Sequence, residues 1–244
     1  MSIEYILLGV FIWIAFTSES ITGFGSIVIA LALGTMLFPI PELLPILVPL
    51  SVFMSSALLI RYHRDIVWPI MLKLVLPYMV VGMLVGIGLI EVIGSEALKA
   101  LFAVLILWFA GRELVKLHRG IVSKPKPRWW QPVWTLLAGI THGLFASGGP
   151  LLVYALNSLA IAKANFRATL VSVWFGLNVT YTIIMTLQGK VQPVLPIVLA
   201  YVPVLVLAFW FGTYIHDRIN ERQFRQLVYI LLLISAAVML ASVF

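Results

Sequence analysis

The chain has 244 residues, of which 62% are hydrophobic and only 10% are charged. A soluble domain carries about a quarter of its residues as charged side chains, so a chain with a mean hydropathy of +1.10 is excluded from that class. The net charge is +7, but six of the sixteen Lys and Arg residues lie between Arg112 and Arg128, which is typical of a cytoplasmic loop and not of a nucleic-acid surface.

Eight apolar segments follow one another along the chain, and they predict an all-α polytopic membrane protein with about eight transmembrane segments. The segments cover residues 3–38, 43–60, 66–90, 97–111, 132–157, 166–187, 192–215 and 226–244. The first is too long to cross once, because a single helix of that length runs about 54 Å and the hydrocarbon core is about 30 Å thick. It must bend, break or re-enter, and the glycines of "TGFGS" (22–26) provide the place.

A second break, "ASGGP" (146–150), interrupts the fifth segment at a corresponding position. Shifting the first half of the chain by about 124 residues places Gly25 on Gly149. We therefore predict two transmembrane repeats joined by a basic cytoplasmic linker. The first repeat covers residues 1–117, the linker 118–131 and the second repeat 132–244. The sequence leaves open whether the repeats are parallel or inverted.

The charged loops predict the orientation of the chain in the membrane. With eight crossings, the basic "RYHRD" (61–65), the linker and "QGK" (188–190) share the cytoplasmic side, and the acidic "EVIGSE" (91–96) lies outside. The basic "HDRINER" (216–222) then also lies outside, against the usual excess of cytoplasmic Lys and Arg.

Broken helices at matching positions of two repeats commonly mark the binding site of a transporter. The helix that begins after each break exposes amide hydrogens without partners and the positive end of its dipole. We predict that two such N-termini face one another at mid-membrane and bind a small anion. The alternative is that the glycines only allow helices to pack closely.

The predicted substrate-binding residues are Thr22, Gly23, Gly25, Ser26, Ser147, Gly148, Gly149, Arg167 and Asn178. Glu19 and His142 are ionisable residues inside apolar segments, which makes them candidates for a coupling proton; each can equally be a hydrogen-bonded structural residue. Arg167 can attract an anion or extend to the lipid headgroups. Arg167, Trp174, Asn178 and Tyr181 are spaced to share one helix face. We predict no catalytic residue, metal site or cofactor.

The duplicated four-segment layout, the glycine-rich first break and "GLFASGGPLL" (143–152) resemble the TauE/SafE sulfite-exporter-like family of bacterial membrane permeases. The resemblance covers nearly the whole chain, and Gly143 through Pro150 carries it best. It implies a multi-pass protein of the cytoplasmic (inner) membrane that exports small sulfur-containing anions such as sulfite or organosulfonates. The partners expected are this anion and the lipid bilayer, with no nucleic acid; a homodimer is left open.

Three other functions are weighed against a secondary transporter. A passive anion channel and the membrane subunit of a larger complex share the same sequence features. An intramembrane hydrolase would use Ser147 as nucleophile and needs a general base within hydrogen-bond reach, but Phe145 stands where that motif requires glycine. No H-E-x-x-H or phosphate-binding G-x-x-x-x-G-K-[ST] motif is present, so no enzymatic activity is predicted.

Overall fold

The computed structural model describes residues 3–22, 25–119, 127, 129–156, 159, 161–216, 218 and 221–241. Within these ranges the regular structure is helical throughout, as the sequence predicts. Apart from single 3₁₀ turns, the helices are α1 (Ile3–Thr22), α2 (Ser26–Gly34), α3 (Ile40–Tyr62), α4 (Trp68–Ile90), α5 (Ser95–Arg119), α6 (Trp130–Phe145), α7 (Gly149–Leu156), α8 (Lys163–Leu187), α9 (Leu195–His216) and α10 (Glu221–Ala241).

Five of the described helices are long and apolar enough to cross a membrane. These spans are Ile3–Ile21, Ile40–Asp65, Trp68–Ile90, Ala164–Leu187 and Gln192–Ile215. Helices α5 and α10 are also long, at 25 and 21 residues, but carry charged residues near their ends. The chain is therefore a multi-pass membrane protein, while the predicted number of eight crossings is not confirmed.

Both predicted breaks are present, and at each of them the chain turns back on itself. Helix α1 packs against α2, and the ring of Tyr5, near the start of α1, lies 5.1 Å from that of Phe38, which follows α2. Helix α6 packs against α7, and Trp134 and Tyr154 bring their rings to 4.6 Å. Each pair is a helical hairpin with both ends on one side of the molecule; we call them the first hairpin (α1–α2) and the second hairpin (α6–α7).

Each hairpin packs on a helix from the other half of the chain. Helix α1 lies against α9, and α6 lies against α4. The remaining long helices also pair across the halves, α3 with α8 and α5 with α10. The two halves therefore interlock, and the tips of both hairpins are held in the interior between them.

Contacts between loops identify the loops that share a side of the molecule. The Lys190 ammonium lies 3.4 Å from a carboxylate oxygen of Glu91, which joins the loop after α8 to the loop after α4. The Arg222 guanidinium donates to the Leu117 carbonyl oxygen at 2.8 Å, which places the start of α10 beside the end of α5.

These contacts correct the expected sidedness of two loops. Lys190 of "QGK" lies with Glu91 of the acidic "EVIGSE", and Arg222 of "HDRINER" lies with the end of α5 that leads into the basic linker. The error arises because segment five turns back, whereas the expectation counted it as one crossing. The second hairpin returns the chain to the side from which it entered, so the sides of the two loops that follow it are reversed.

The contact between α4 and α6 is close because four glycines line it. An added Cβ on Gly82, Gly86, Gly139 or Gly143 would overlap backbone atoms of the facing helix. Glycine at such positions lets two helix backbones approach directly, as in small-residue interfaces of membrane proteins. This seam fixes the second hairpin against α4.

We expect Gly86→Ala to destabilise the protein by about 1–3 kcal/mol, because overpacking a tight contact forces backbone shifts. The added Cβ would overlap the Ile140 carbonyl oxygen. Gly88→Ala, two residues along the same helix, is the matched control, since a Cβ there meets nothing within 4 Å. Thermal unfolding of the purified protein in detergent measures both variants. Equal unfolding midpoints for Gly86→Ala and Gly88→Ala would show that the contact between α4 and α6 accommodates the added Cβ.

Candidate functional site

The tips of both hairpins open onto one cavity of about 30 Å³. That is roughly twice the space that a single water molecule needs. The cavity is lined by Glu19, Gly25, Ser26, Ile27, Val28, Ser51, Ala146, Ser147, Gly148, Gly149, Trp174 and Asn178. The two glycine-containing breaks, far apart in sequence, are thus brought together.

The first tip presents the N-terminus of α2 to the cavity. Gly25 adopts the left-handed conformation, with φ of +95°, which glycine accepts without strain. The amide of Ile29 donates to the Gly25 carbonyl oxygen at 3.1 Å and is the donor of the first bond along α2. The three preceding residues, 26–28, have no intrahelical acceptor for their amides, and all three line the cavity.

The second tip presents the N-terminus of α7 in the same way. Ala146 turns the chain after α6 with a φ of +49°, an uncommon conformation for a residue with a side chain. The Leu152 amide donates to the Gly148 carbonyl oxygen at 3.0 Å, which begins the bonding of α7. A Cβ on Gly148 would overlap the Ala138 carbonyl oxygen, so the turn requires glycine there.

Four polar atoms at the cavity have no hydrogen-bond partner in the described structure. They are Glu19 Oε2, Ser147 Oγ, Trp174 Nε1 and Asn178 Oδ1, and none of these residues is more than 6% exposed. An unsatisfied buried polar group costs about 1–3 kcal/mol, and the indole N–H of Trp174 can only donate. The cavity therefore offers a ligand two donors, the Ser147 hydroxyl and the Trp174 indole N–H, beside two acceptors, Glu19 Oε2 and Asn178 Oδ1.

The surrounding contacts hold these groups in place. The Asn178 side-chain amide donates to Ser51 Oγ at 2.9 Å, which joins α8 to the middle of α3. The Glu19 carboxyl group is hydrogen-bonded to the Ser26 side chain, and the positive charge of Arg167 attracts it. The ring of His142 stacks on Trp174 with centroids 5.9 Å apart, behind the cavity wall.

Most of the predicted binding residues meet at this cavity. Gly25, Ser26, Ser147, Gly148, Gly149 and Asn178 line it, and so does the predicted coupling residue Glu19. Thr22 is the last residue of α1 and its side chain is not described, while Gly23 lies outside the described residues. The other predicted coupling residue, His142, contacts Trp174 and does not line the cavity.

Arg167 does not line the cavity. Its guanidinium donates to the Ser20 carbonyl oxygen at 2.9 Å and lies 4.6 Å from the centre of the Tyr62 ring. The side chain is thus directed to the tip of the first hairpin. Its predicted role toward the anion stays a prediction.

Two lining residues were not among the predicted binding residues. Ser51 is a hydroxyl in the middle of the apolar "PILVPLSVF", and Trp174 was placed only on the same helix face as Asn178. A hydroxyl in so apolar a stretch is the signal that points to Ser51, and Ser55 and Ser56 of the same helix share that signal. Among the described residues, no group of three or more His, Asp or Glu side chains could hold a metal ion.

Comparison with protein-family models gives a match to "Sulfite exporter TauE/SafE" over residues 6–239. Searches among curated proteins and among solved structures gave no match. The matched region contains both hairpin tips, the helices between the two hairpins and every residue that lines the cavity. The chain therefore belongs to the TauE/SafE sulfite exporter family of membrane transporters.

Proposed function

We propose that this protein is a secondary transporter that exports a small sulfur-containing anion, sulfite or a compact organosulfonate, across the cytoplasmic membrane. The anion binds in the cavity between the hairpin tips. The observation that carries the proposal is the meeting of two helix N-termini with the unpartnered donors of Ser147 and Trp174 in one cavity.

The charge distribution of the cavity favours an anion. Each helix N-terminus contributes about half a positive charge, and neither Lys nor Arg lines the described cavity. A helix N-terminus binds oxyanions through its amides and its dipole together. A cation would have acceptors in Glu19 and Asn178 but would face both positive helix ends and the Trp174 N–H.

The size of the cavity favours a compact substrate. A volume of about 30 Å³ suits a few non-hydrogen atoms, such as the sulfur and three oxygens of sulfite. The sulfonate head of an organosulfonate has the same three oxygens, but its carbon tail needs additional space. Sulfite is therefore the preferred substrate of this conformation.

We propose further that the two halves are inverted repeats, each made of one re-entrant hairpin and three crossing helices. The crossing helices are α3, α4 and α5 in the first half and α8, α9 and α10 in the second. Three is an odd number of crossings, so the second half enters the membrane from the opposite side. The packing supports this symmetry, because exchanging the halves turns the α1–α9 contact into the α6–α4 contact and leaves the α3–α8 and α5–α10 pairs unchanged.

This arrangement accounts for the distribution of charge. The basic loops after α3, α5 and α9 share one side, and the loops with Glu91, Glu96 and Lys190 share the other. The excess of Lys and Arg marks the first side as cytoplasmic. The second hairpin then enters from the cytoplasm and the first from the opposite side, and their tips meet inside the protein.

The membrane potential supports export of an anion that moves without a proton. A cell interior that is negative by 100 mV drives a monovalent anion outward with about 2.3 kcal/mol. A passive channel would use the same force, but it needs a continuous water-filled pore instead of a small cavity between two tips. The binding of a specific anion is therefore the property that tests the proposal.

Titration calorimetry of the purified protein with sulfite, methanesulfonate, sulfate and formate tests the binding site. We expect sulfite to bind the wild type, and Trp174→Phe to weaken binding about tenfold, which equals about 1.4 kcal/mol. Phenylalanine keeps an aromatic ring beside His142 but removes the N–H donor.

Trp134→Phe is the matched control, because Trp134 packs on Tyr154 and does not line the cavity. Equal sulfite affinities in the wild type and Trp174→Phe would show that the indole N–H does not contribute to anion binding. A wild type that binds none of the four anions would overturn the anion site.

A further inference from the structure

Two side chains of α8 bind the tips of the two hairpins in the same manner. The Arg167 guanidinium donates to the Ser20 carbonyl oxygen at 2.9 Å, and the Tyr181 hydroxyl donates to the Gly143 carbonyl oxygen at 2.6 Å. Ser20 is the third residue from the end of α1, and Gly143 is the third from the end of α6. The last four carbonyl groups of a helix lack intrahelical donors, so both bonds use corresponding free acceptors.

The two contacts lie on either side of the cavity. Tyr181 is fourteen positions after Arg167, which is about 21 Å along a helix at 1.5 Å per residue. Trp174 and Asn178, which line the cavity, lie between them on α8. One helix therefore carries cavity-lining groups at its centre and a contact to a different hairpin tip toward each end.

Resting on the proposed transport function, we propose that Arg167 and Tyr181 are the two gates of the transporter. Each holds one hairpin tip against α8, and the release of either bond opens the cavity to one side of the membrane only. The two residues position the tips and do not bind the anion in the closed conformation.

A larger cavity lies on the side of Tyr181, and we call it the vestibule. It has a volume of about 200 Å³. Its mouth carries Glu91 and Lys190, with side chains 62% and 43% exposed, and Tyr181 and Met185 form its buried floor. The exposed mouth and buried floor define a path toward the interior from the side of the acidic loops.

Tyr181 separates the vestibule from the central cavity. Its ring lies 6.4 Å from that of His142, which stacks on Trp174 in the cavity wall. When the bond from Tyr181 to Gly143 is released, the second hairpin tip is free to move away from α8. The vestibule and the central cavity then join.

Arg167 occupies the equivalent position toward the other side. It is the fifth residue of α8, and its guanidinium lies over Tyr62, the last residue of α3, on the side of the basic loops. Its Nε–H is buried without a partner in the described structure. Because a hydrogen bond from a charged donor is roughly twice as strong as a neutral one, this gate is the firmer of the two.

The sequence contains no cysteine, so one introduced cysteine reports access to the cavity. Ser147→Cys places a thiol at the second tip with little change in volume. Membrane vesicles of each orientation are treated with a charged, membrane-impermeant maleimide, and the labelling rate is measured from each side. In Tyr181→Phe we expect at least a fivefold increase from the side of Glu91 and Lys190 only. In Arg167→Gln we expect the increase from the opposite side only.

Tyr201→Phe is the matched control. The Tyr201 hydroxyl donates to the Tyr5 carbonyl oxygen at 2.6 Å, so this variant removes the same kind of bond far from either tip. It should leave both labelling rates unchanged. Equal increases from both sides in either gate variant, or no increase in either, would overturn the proposal.

The labelling pattern needs no substrate and is therefore separate from the proposed function. Side-specific labelling in a protein that binds no anion would support the gates and overturn the substrate. Sulfite binding without side-specific labelling would support the substrate and overturn the gates. Thermal unfolding identifies a variant that does not fold, and Arg167→Lys, which keeps the charge and a donor, should then restore wild-type labelling.

Discussion

Replacing Gly149 with leucine should abolish anion transport and leave the protein folded. Gly149 is the first residue of α7 and lines the cavity. A Cβ there would lie 3.6 Å from the Trp174 ring, which is ordinary van der Waals contact. Because Gly149 lines the cavity, we expect the rest of the leucine side chain to enter it and to fill the space that the substrate needs.

The size of this effect follows from the volume. The cavity of about 30 Å³ has room for only a few non-hydrogen atoms, and the three further carbons of leucine would take most of that room. We expect sulfite uptake by proteoliposomes to fall by at least a hundredfold. Gly149→Ala, which adds only the tolerated Cβ, should reduce uptake by a smaller factor.

Gly176→Leu is the matched control for added volume. Gly176 lies on α8 between Trp174 and Asn178, but a Cβ there meets nothing within 4 Å. It should keep near-wild-type uptake. Wild-type uptake in Gly149→Leu would show that this glycine serves only helix packing.

Gly25 would give a less decisive test, although it occupies the corresponding position of the first tip. Its φ of +95° makes any side chain there unfavourable, by about 1–2 kcal/mol for the left-handed conformation. A loss of transport in Gly25→Leu would therefore combine backbone strain with a filled cavity. Gly149, whose φ lies outside the left-handed region, separates the two effects.

The positions of the breaks could be predicted from the sequence, but the direction of the chain after them could not. Length alone shows that residues 3–38 cannot cross once, and glycine shows where they break. All nine residues of α2 are buried, so α2 has no polar face that would show which way it runs. That direction depends on long-range contacts such as the one between Tyr5 and Phe38.

The candidate site was partly predictable for a similar reason. Gly148, Gly149 and Ser147 stand out because glycine and serine are unusual at the centre of an apolar run. Ile27 and Val28 line the cavity as residues of the first turn of α2, and their apolar side chains give no sign of it. Arg167 was expected to contact an anion or a headgroup, and no sequence pattern identifies the Ser20 carbonyl as its acceptor.

Glu19→Gln should remove the pH dependence of anion binding and raise the affinity in alkaline buffer. Glu19 is 2% exposed, lines the cavity and has one carboxylate oxygen without a partner. Two negative charges about 5 Å apart at an effective dielectric constant near 20 repel by about 3 kcal/mol. The affinity for the anion is therefore about a hundredfold higher when Glu19 is protonated than when it is ionised.

This coupling predicts that a proton is transported together with the anion. Transfer of a monovalent anion with a proton is electroneutral, so a pH jump across proteoliposomes drives wild-type flux. In Glu19→Gln, flux should follow only the gradient of the anion and the membrane potential. Glu42→Gln, an exposed carboxylate at the start of α3, is the control and should keep the response. A pH-driven flux that survives in Glu19→Gln would show that another residue carries the proton. His142 would then be the next residue to replace, because no other described histidine is buried in a helix that contacts the cavity wall.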